Sequence, residues 1–433
     1  MKKFLLSLVL CLSSLLGWAE TFTLRQCIDM AYANSIDLRV QQLNTEQKQL
    51  LYRQAWYNLS PNVSGYLNEG LSFGRSTGAD NITRPQNASN TSIGLNASLV
   101  LFDGLAMKFN IDEAKASKLA SEANLEAVQR NLALNITSLY LDVLLKKELA
   151  VVADSQLRET EAQVQRIQAK VDAQRLPMGD LYSIQAQQGK EQLQLVQAKN
   201  NVRLALLNLA QAMDIAYKED FDVAVPSEEE LEGPLLPDRE EVWQTALTHR
   251  PEIREAQYNL QAQQTALKGQ KAAYTPTLTA QAGIGTGYYY LMGADNTAFK
   301  KQISDNFSTN VSFGLSVPIY NKMQTPTQVK RQQMNVENAQ LQLEQKKKSI
   351  RKEIDQAYYN AQAAQTEKIS SQQAARSAAE AERYALEKYA AGRASVYEYK
   401  EAKQSHLQAV SDHLQARYNY LFKVRILDYY MGL

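Results

Sequence analysis

Few residues in this 433-residue sequence have the types and spacing that chemistry at a site requires. His406 and His413, seven residues apart, would share a helix face and could hold a metal ion. Two surface histidines without a role are the simpler interpretation, and His249 lies far from both. The run GIGTG at residues 283–287 imitates a phosphate-binding glycine loop, but it lies inside an alternating segment that no helix pattern follows. The sequence therefore predicts no enzyme, no cofactor and no metal site.

The composition narrows the function classes further. The 47 basic and 46 acidic residues nearly balance, so no strong field indicates a nucleic-acid partner. The N-terminus, MKKFLLSLVLCLSSLLGWAE, has the pattern of a secretory signal, which we place at residues 1–19. Cys11 lies within its apolar run, directly after Leu10, which disfavours lipidation. After removal of the signal, the chain keeps Cys27, for which we expect a buried thiol, and it has no run of about 18 apolar residues.

The sequence repeats itself at an offset of 215 residues, which becomes 218 where LVLFDG (99–104) falls opposite VPIYNK (317–322) and 216 near the ends. At the first offset the identical pairs are Ala31 with Ala246, Arg39 with Arg254, Gln42 with Gln257, Asn44 with Asn259 and Pro61 with Pro276. Chance would produce some identities in Gln- and Ala-rich sequence, but the order of features agrees as well. We therefore predict two structural repeats, residues 20–237 and 238–433, joined by an acidic, proline-containing surface linker at 217–238.

Each repeat contains the same series of predicted elements. The first repeat has a helix at about 24–58, strands at about 61–74 and 90–103, a long helix at about 104–174, a tip turn at about 175–180 and a return helix at about 180–215. The second has the equivalent elements at about 239–273, 276–290, 306–320, 322–390, 390–395 and 396–430. A helix of about 70 residues spans roughly 100 Å, which indicates packing of long helices side by side.

The predicted strands have one apolar and one small polar face. In NTSIGLNASLVLFDG, residues 90–104, Ile93, Leu95 and Ala97 alternate with Gly94 and Asn96. A half-buried sheet in a soluble protein would alternate in the same way. However, strands of about 10 to 14 residues exceed the globular mode of about 5 to 6, and these polar faces lack long charged side chains. Four strands cannot close a barrel in lipid, and eight leave no water path, so we predict that three copies share twelve strands.

Both long helices end in a glycine-containing interruption. These interruptions are AQRLPMGDL at 173–181 and YAAGRASVYEYKEA at 389–402. Asp180 and Ser395 are the predicted N-caps of the two return helices, because short oxygen-bearing side chains satisfy the first free backbone N–H groups. A trimer would therefore gather six turns at one end of the assembly.

These features, taken together, resemble the TolC family of outer-membrane efflux proteins over essentially the whole mature chain. LRQCIDMAYANS and VWQTALTHRPEI are similar to its paired first-helix signatures, LFDG and VPIYNK to its strand-to-helix exits, and ARYNYL at 416–421 to its final helix. The resemblance implies a mixed α/β membrane protein, mainly α, that forms a homotrimer. Its twelve-stranded β-barrel, four strands per chain, would lie in outer-membrane lipid and continue into a long α-helical periplasmic barrel. It further implies docking to a periplasmic adaptor (membrane fusion) protein and an inner-membrane pump, either proton-driven or ATP-driven.

The same resemblance assigns roles at the tips. Tyr389 matches the family's constricting tyrosine, while Glu398 and Glu401 match the aspartates of its acidic rings. The family arginine falls on Ala394, with Arg393 displaced by one residue, and the first-half acid falls on Tyr182. Without the family, Glu398 and Glu401 would be interpreted as solvated helix charges. The tip-turn residues expected to contact the adaptor are Arg175, Leu176, Gly179, Gly392 and Ser395.

The resulting hypothesis is a passive outer-membrane channel-tunnel of a Gram-negative bacterium. It would be the exit duct of a tripartite efflux or type I secretion system and would open at its periplasmic tip when its partners engage. The alternative is a secreted or peripheral coiled-coil structural protein whose strands form a soluble sheet. The sequence leaves the cargo open among drugs, metal ions, glycolipids and proteins.

Overall fold

A computed structural model describes residues 21–77, 81–227 and 235–432. The predicted signal at 1–19 and part of the linker, including Pro234, lie outside the described residues. The chain divides into two compact units. The helical unit comprises the described residues of Met1–Gln42, Ala123–Arg254 and Lys346–Leu433. The strand unit comprises those of Leu43–Glu122 and Glu255–Gln345.

The helices are α1 Leu24–Asn34, α2 Ile36–Tyr57, α3 Ala106–Asp172, α4 Met178–Ala212, α5 Arg239–His249, α6 Pro251–Ala272, α7 Phe299–Asp305, α8 Gln324–Ala390 and α9 Val396–Met431. The strands are β1 Thr21–Phe22, β2 Asn62–Ser72, β3 Arg75–Thr77, β4 Thr83–Pro85, β5 Ala88–Phe102, β6 Asp222–Val223, β7 Thr277–Leu291 and β8 Ser308–Ser316. The two longest helices, α3 and α8, have 67 residues each. Helix α3 contains neither glycine nor proline, and the proline of α8, Pro326, lies in its first turn, where its missing N–H has no intrahelical partner to lose.

Two of the predicted helices are interrupted, contrary to expectation. The predicted helix 24–58 breaks at Ser35, whose hydroxyl accepts a hydrogen bond from the N–H of Leu38 at 3.3 Å. The predicted helix 239–273 breaks at Arg250, which takes an extended conformation (φ −72°, ψ 120°). The following residue, Pro251, causes this break, because a proline ring disfavours the helical conformation in the residue before it.

The predicted strand 306–320 is also too long at its C-terminal end. Strand β8 ends at Ser316, two residues before Pro318, which has no N–H to offer a neighbouring strand. The polar loop before β8 contains the short helix α7, and the loop between β2 and β5 contains the β3–β4 hairpin. Neither element was predicted.

The strand unit holds one four-stranded antiparallel sheet in the order β2-β5-β7-β8. Paired residues share a face, so one row of the sheet consists of Val63, Ala97, Ala282 and Val311. The next row, on the opposite face, consists of Ser64, Asn96, Gly283 and Asn310. The predicted separation of an apolar face from a small polar face is confirmed.

The GIGTG run lies within β7 and serves close packing. A Cβ atom added at Gly283 would lie 2.5 Å from the Asn310 side-chain oxygen and 2.9 Å from that of Asn96. Any larger residue here would force the amide side chains of Asn96 and Asn310 on the two neighbouring strands to move. This contact supports the interpretation that the small residues crowd a sheet.

The core of the helical unit packs α1 against α3, α4 and α9. Its largest buried cluster includes Cys27, Ile136, Leu144, Leu209 and Leu421. The Cys27 side chain is fully buried, and burial raises the pKa of its thiol to about 11. The expectation of a buried thiol is therefore confirmed.

The linker is less exposed than predicted. Phe221 and Val223 are buried in the core of the helical unit, and β6 pairs in parallel with β1. Lys147 fixes this segment by donating to the Val223 carbonyl at 3.1 Å and pairing with Asp222 at 2.5 Å. The interpretation of the whole of 217–238 as a surface connection is wrong at these residues. Among the described helices, no segment is both long enough and apolar enough to cross a membrane.

Candidate functional site at the two helix tips

The first tip turn joins α3 to α4, and the second joins α8 to α9. Both turns close in the same way. The N–H of Arg175 donates to the Lys170 carbonyl at 2.8 Å, and the N–H of Arg393 donates to the Lys388 carbonyl at 2.8 Å. In each turn the preceding residue is left-handed, Gln174 with φ +55° and Gly392 with φ +72°. This is the Schellman arrangement, which satisfies the last carbonyls of a helix.

The return helices begin differently. The Ser395 hydroxyl accepts a hydrogen bond from the N–H of Glu398 at 3.2 Å, which confirms Ser395 as the N-cap of α9. The prediction of Asp180 as the N-cap of α4 is wrong. The cap lies three residues earlier, at Pro177, which makes no side-chain hydrogen bond; the helix begins at Met178, and Asp180 lies in its first turn. The extended Pro177 (φ −73°, ψ 151°) sets this earlier start.

Aliphatic side chains close the first tip. Leu181 and Ile184 of α4 are buried against Ile167 of α3. The partly buried members of this first-tip cluster are Val164, Val171 and Leu176. Arg175 and Gly179 are exposed beside it. The first tip is therefore held mainly by burial of apolar surface.

Two tyrosines close the second tip. The rings of Tyr389 and Tyr399 stack with their centroids 6.0 Å apart and an interplanar angle of 16°. Tyr399 is almost fully buried, and this burial raises its pKa well above the ordinary range. Burial also raises the pKa of Tyr389, and the negative charge of Asp180 adds to that increase. Within the described residues, the buried Tyr389 hydroxyl has no hydrogen-bond partner.

The charged residues predicted for the site do not form a closed network within one chain. Glu398 and Glu401 are exposed, as is Arg393, and no ion pair links them in the described part of the chain. Tyr182, where the family acid would fall, is 62% exposed. Asp180 is the acid whose charge reaches Tyr389.

A polar cluster behind the second tip was not predicted. It is centred on Lys403 of α9, which is buried and ion-paired with Glu191 of α4 at 3.7 Å. Its spacing offers one signal, because Tyr399, Lys403 and His406 follow each other at intervals of four and three and so share a helix face. A lysine on a polar helix is normally interpreted as solvated, which hides the signal.

The two histidines of the sequence analysis have separate contacts. The Nδ1 atom of His406 lies 2.5 Å from the Glu382 carboxylate. The Nδ1 atom of His413 lies 3.3 Å from the Ser371 hydroxyl. Each side chain therefore contacts helix α8, and the structure does not bring the two histidines together on one ligand.

Comparison with known proteins gives a consistent result over both halves of the chain. The family described as outer membrane efflux protein matches residues 27–214 and again residues 242–433. The outer membrane efflux protein BepC of Brucella suis is 23% identical over 352 residues, which cover 79% of this chain and 70% of BepC. The cation efflux system protein CusC of Escherichia coli O6:H1 is 27% identical over 284 residues. That match covers 62% of this chain and 57% of the length of CusC.

Solved structures are similar in fold. A crystal structure of CusC superimposes with a TM-score of 0.80 at 19% identity, covering 94% of this chain and 91% of that one. The open state of the MtrE outer membrane channel of Neisseria gonorrhoeae superimposes with a TM-score of 0.77 at 19% identity, covering 96% and 91%. The mainly helical architecture with its four-stranded sheet is thus the fold of outer-membrane channels.

Proposed function

This chain belongs to the outer membrane efflux protein family, and on that premise we propose that it is a passive outer-membrane channel. Three copies would assemble into the exit duct of a tripartite efflux or type I secretion system. A periplasmic adaptor and an inner-membrane pump would engage its tips and supply both the cargo and the energy. The chain itself would contribute the wall of the channel, its gate and the surface that docks to the adaptor.

The observation that carries this proposal is the exposed apolar face of the four-stranded sheet. Leu67, Val311 and Phe313 on that face are each about 70% exposed in the single chain. Every residue of the outer strands β2 and β8 is exposed as well. An open sheet edge in lipid leaves backbone groups unpaired at several kcal/mol each, so pairing β2 of one copy with β8 of another would satisfy both edges. Three copies then close a barrel of twelve strands with room for water.

The tip turns are the proposed adaptor-contacting surface. Arg175, Gly179, Gly392 and Ser395 are all exposed, with Leu176 half-buried beneath the first turn. The matching of one family to both halves of the chain supports our assignment of residues 20–237 and 238–433 as structural repeats. Each repeat would then supply one tip turn to the docking end.

The proposed gate lies at the second tip. Glu398 and Glu401 from three copies would converge on one axis with Tyr389 and Arg393 beside them. Ser395 supports this role, because its cap fixes the first turn of α9, on which Glu398 lies. Converging carboxylates attract cations and repel one another, so they favour cation passage and resist tight closure. Since Asp180 rather than Tyr182 is the acid near Tyr389, we assign the first-half acidic role to Asp180.

The native mass of the detergent-extracted protein, followed by its conductance in a planar lipid bilayer, tests the channel. We expect the mass of three mature chains and single-channel currents. A protein that leaves the outer membrane on a high-salt wash, or that stays monomeric, would instead support the coiled-coil structural alternative. Either result would remove the channel proposal.

The facing of the sheet is tested by two neighbouring substitutions. Leu99→Asp places a charge on the apolar face, in the row of Ala280 and Phe313, and should impair membrane insertion by about 2 to 4 kcal/mol if the residue lies near the bilayer midplane. Ser98→Asp, on the opposite face, should be tolerated. The yield of trimer in the outer-membrane fraction measures both. Equal losses for the two variants would contradict the assigned facing.

The acidic gate is tested by Glu398→Gln combined with Glu401→Gln. Removing the converging charge should lower the cation preference of the channel, because the carboxylates no longer attract cations to the constriction. Reversal potentials in a salt gradient measure the change. Glu344→Gln, at an exposed position on α8, is the matched control and should leave selectivity unchanged. Unchanged selectivity in the double variant would place these carboxylates outside the constriction.

A further inference from the structure

Lys403 is a buried cation that contacts two other helices behind the second tip. Its ammonium donates to the Thr160 hydroxyl on α3 at 2.7 Å and to the Gln156 carbonyl at 3.5 Å. The same nitrogen lies 3.7 Å from Glu191 on α4 and 4.0 Å from Glu159 on α3. Only 5% of the lysine side chain is exposed. A single side chain of the second hairpin thus engages both helices of the first.

Glu191 depends on this lysine. Its carboxylate is 2% exposed, and one oxygen accepts a hydrogen bond from the Gln187 side chain at 2.8 Å. The other oxygen has no hydrogen-bond partner within the described residues. In the described part of the chain, Lys403 is the cation with which Glu191 forms an ion pair. An ionised carboxylate at this depth needs a nearby positive charge, because burial removes the water that would otherwise stabilise it.

Neighbouring contacts of α9 follow the same pattern. Lys400 donates to the Ser183 carbonyl on α4 at 3.3 Å, and His406 approaches Glu382 on α8. Tyr399, one turn before Lys403, stacks on Tyr389 of α8. The first turns of α9 are therefore joined to the other three tip helices largely by oriented polar side chains. Such contacts depend on geometry, and water can replace each of them once the helices separate.

From these contacts we infer that Lys403 is a positioning residue of the gate: it holds α9 against the first hairpin and so sets how readily the second tip leaves its closed position. The link between this positioning role and transport rests on the proposed channel function. A buried ion pair binds two helices less firmly than well-packed apolar side chains of similar volume would. Removing only one partner of the pair destabilises the contact between the helices far more, because the remaining buried charge then has neither a counter-charge nor water around it. The ion pair therefore fixes the position of α9 against the first hairpin but still allows the helices to separate.

Two substitutions separate positioning from general stability. Lys403→Met keeps an unbranched side chain that is shorter by the terminal nitrogen alone but leaves Glu191 without its counter-charge, so the tip helices should separate to hydrate the carboxylate. Lys403→Met combined with Glu191→Leu removes both charges and should restore the closed tip or tighten it beyond wild type. Lys147→Met is the matched control, because it breaks a Lys–Asp pair of the helical unit that involves neither tip turn.

The full-length protein in detergent is compared by hydrogen exchange of the peptides covering α4 and the first half of α9, and by closed-state conductance in bilayers. We expect exchange of these amides to rise at least tenfold in Lys403→Met, with a higher closed-state conductance. The double variant should match wild type or exchange more slowly, and Lys147→Met should change neither reading. Unchanged tip exchange in Lys403→Met, an equal rise in Lys147→Met, or a double variant as open as the single one would each overturn the inference.

A milder variant covers the case in which Lys403→Met does not assemble. Thr160→Val removes the 2.7 Å hydrogen bond but keeps the ion pair, and should raise tip exchange severalfold. No rise would overturn the inference as well. The two proposals fail separately. If the wild-type protein carries no current but the variants show the expected exchange pattern, the channel function is refuted and the role of Lys403 stands. If the wild-type protein conducts but Lys403→Met leaves the hydrogen exchange of the tip unchanged, only the positioning role is refuted.

Discussion

The first and second tip turns lie 218 residues apart in the sequence and have the same backbone hydrogen bonds, but different side chains lie beneath them. Where the first tip has Val171 and Leu181 in an aliphatic cluster, the second has the stacked rings of Tyr389 and Tyr399. Dispersion and apolar burial tolerate small displacements, whereas a tyrosine hydroxyl or an ammonium has a small set of favourable partners. The first tip is therefore held by apolar burial, and the second by contacts that depend on the orientation of polar and aromatic side chains.

The turns of the two tips also differ, in their left-handed residue and in the cap of the helix that follows. The first uses Gln174 in the left-handed conformation and an uncapped helix start at Pro177, while the second uses Gly392 and the Ser395 cap. A left-handed residue other than glycine carries strain of about 1 to 2 kcal/mol, so the first turn requires its aliphatic cluster to compensate. The second turn carries no such strain, and its own cap stabilises the start of α9 without help from the first hairpin.

The largest expected effect is at the first tip. Leu181→Ala removes a fully packed side chain and should lower the stability of the tip by about 2 to 5 kcal/mol, from lost apolar burial and the cavity left behind. Hydrogen exchange of the α3 and α4 amides beside the turn measures this local free energy. Leu193→Ala, on an exposed position of the same helix, should change it by no more than about 0.5 kcal/mol. Similar losses in both variants would mean that the aliphatic cluster does not hold the tip.

A reciprocal exchange at the left-handed positions should have a smaller effect. A Cβ at Gly392 would meet nothing within 4 Å, so Gly392→Gln tests backbone strain alone and should destabilise the second tip by about 1 to 2 kcal/mol. Gln174→Gly should relieve the same strain but add freedom to the unfolded chain, for a net gain of up to about 1 kcal/mol. Exchange of the amides flanking each turn measures both. A loss of stability in Gln174→Gly would show that the Gln174 side chain contributes a contact.

Local signals explain why much of this architecture follows from the sequence. Period-two alternation located all four strands of the sheet, and the predicted helix 104–174 is observed as Ala106–Asp172. Glycine and serine located the second tip turn and its cap because both act within a few residues. The break at Arg250 has an equally local cause in Pro251, which the helical periodicity around it concealed.

The polar cluster behind the second tip could not be predicted in this way. Lys403 meets Glu191 and Thr160 only because helices more than 200 residues apart in the chain pack together. Each of the three residues, taken alone, fits a solvated helix surface. The same limit applies to Asp180, whose effect on Tyr389 comes through space rather than through its predicted role as an N-cap.

The smallest expected effect decides how the second tip differs from the first. Because the Tyr389 hydroxyl is buried and has no hydrogen-bond partner among the residues that the structure describes, Tyr389→Phe should change the stability of the tip by no more than about 0.5 kcal/mol. Tyr389→Leu removes the stacked ring as well and should cost about 0.5 to 1.5 kcal/mol. Exchange of the amides at the end of α8 and the start of α9 separates the two variants. If Tyr389→Phe alone loosens the tip as much as Tyr389→Leu, the hydroxyl has a hydrogen-bond partner in a neighbouring copy. The second tip would then be latched between copies rather than within one.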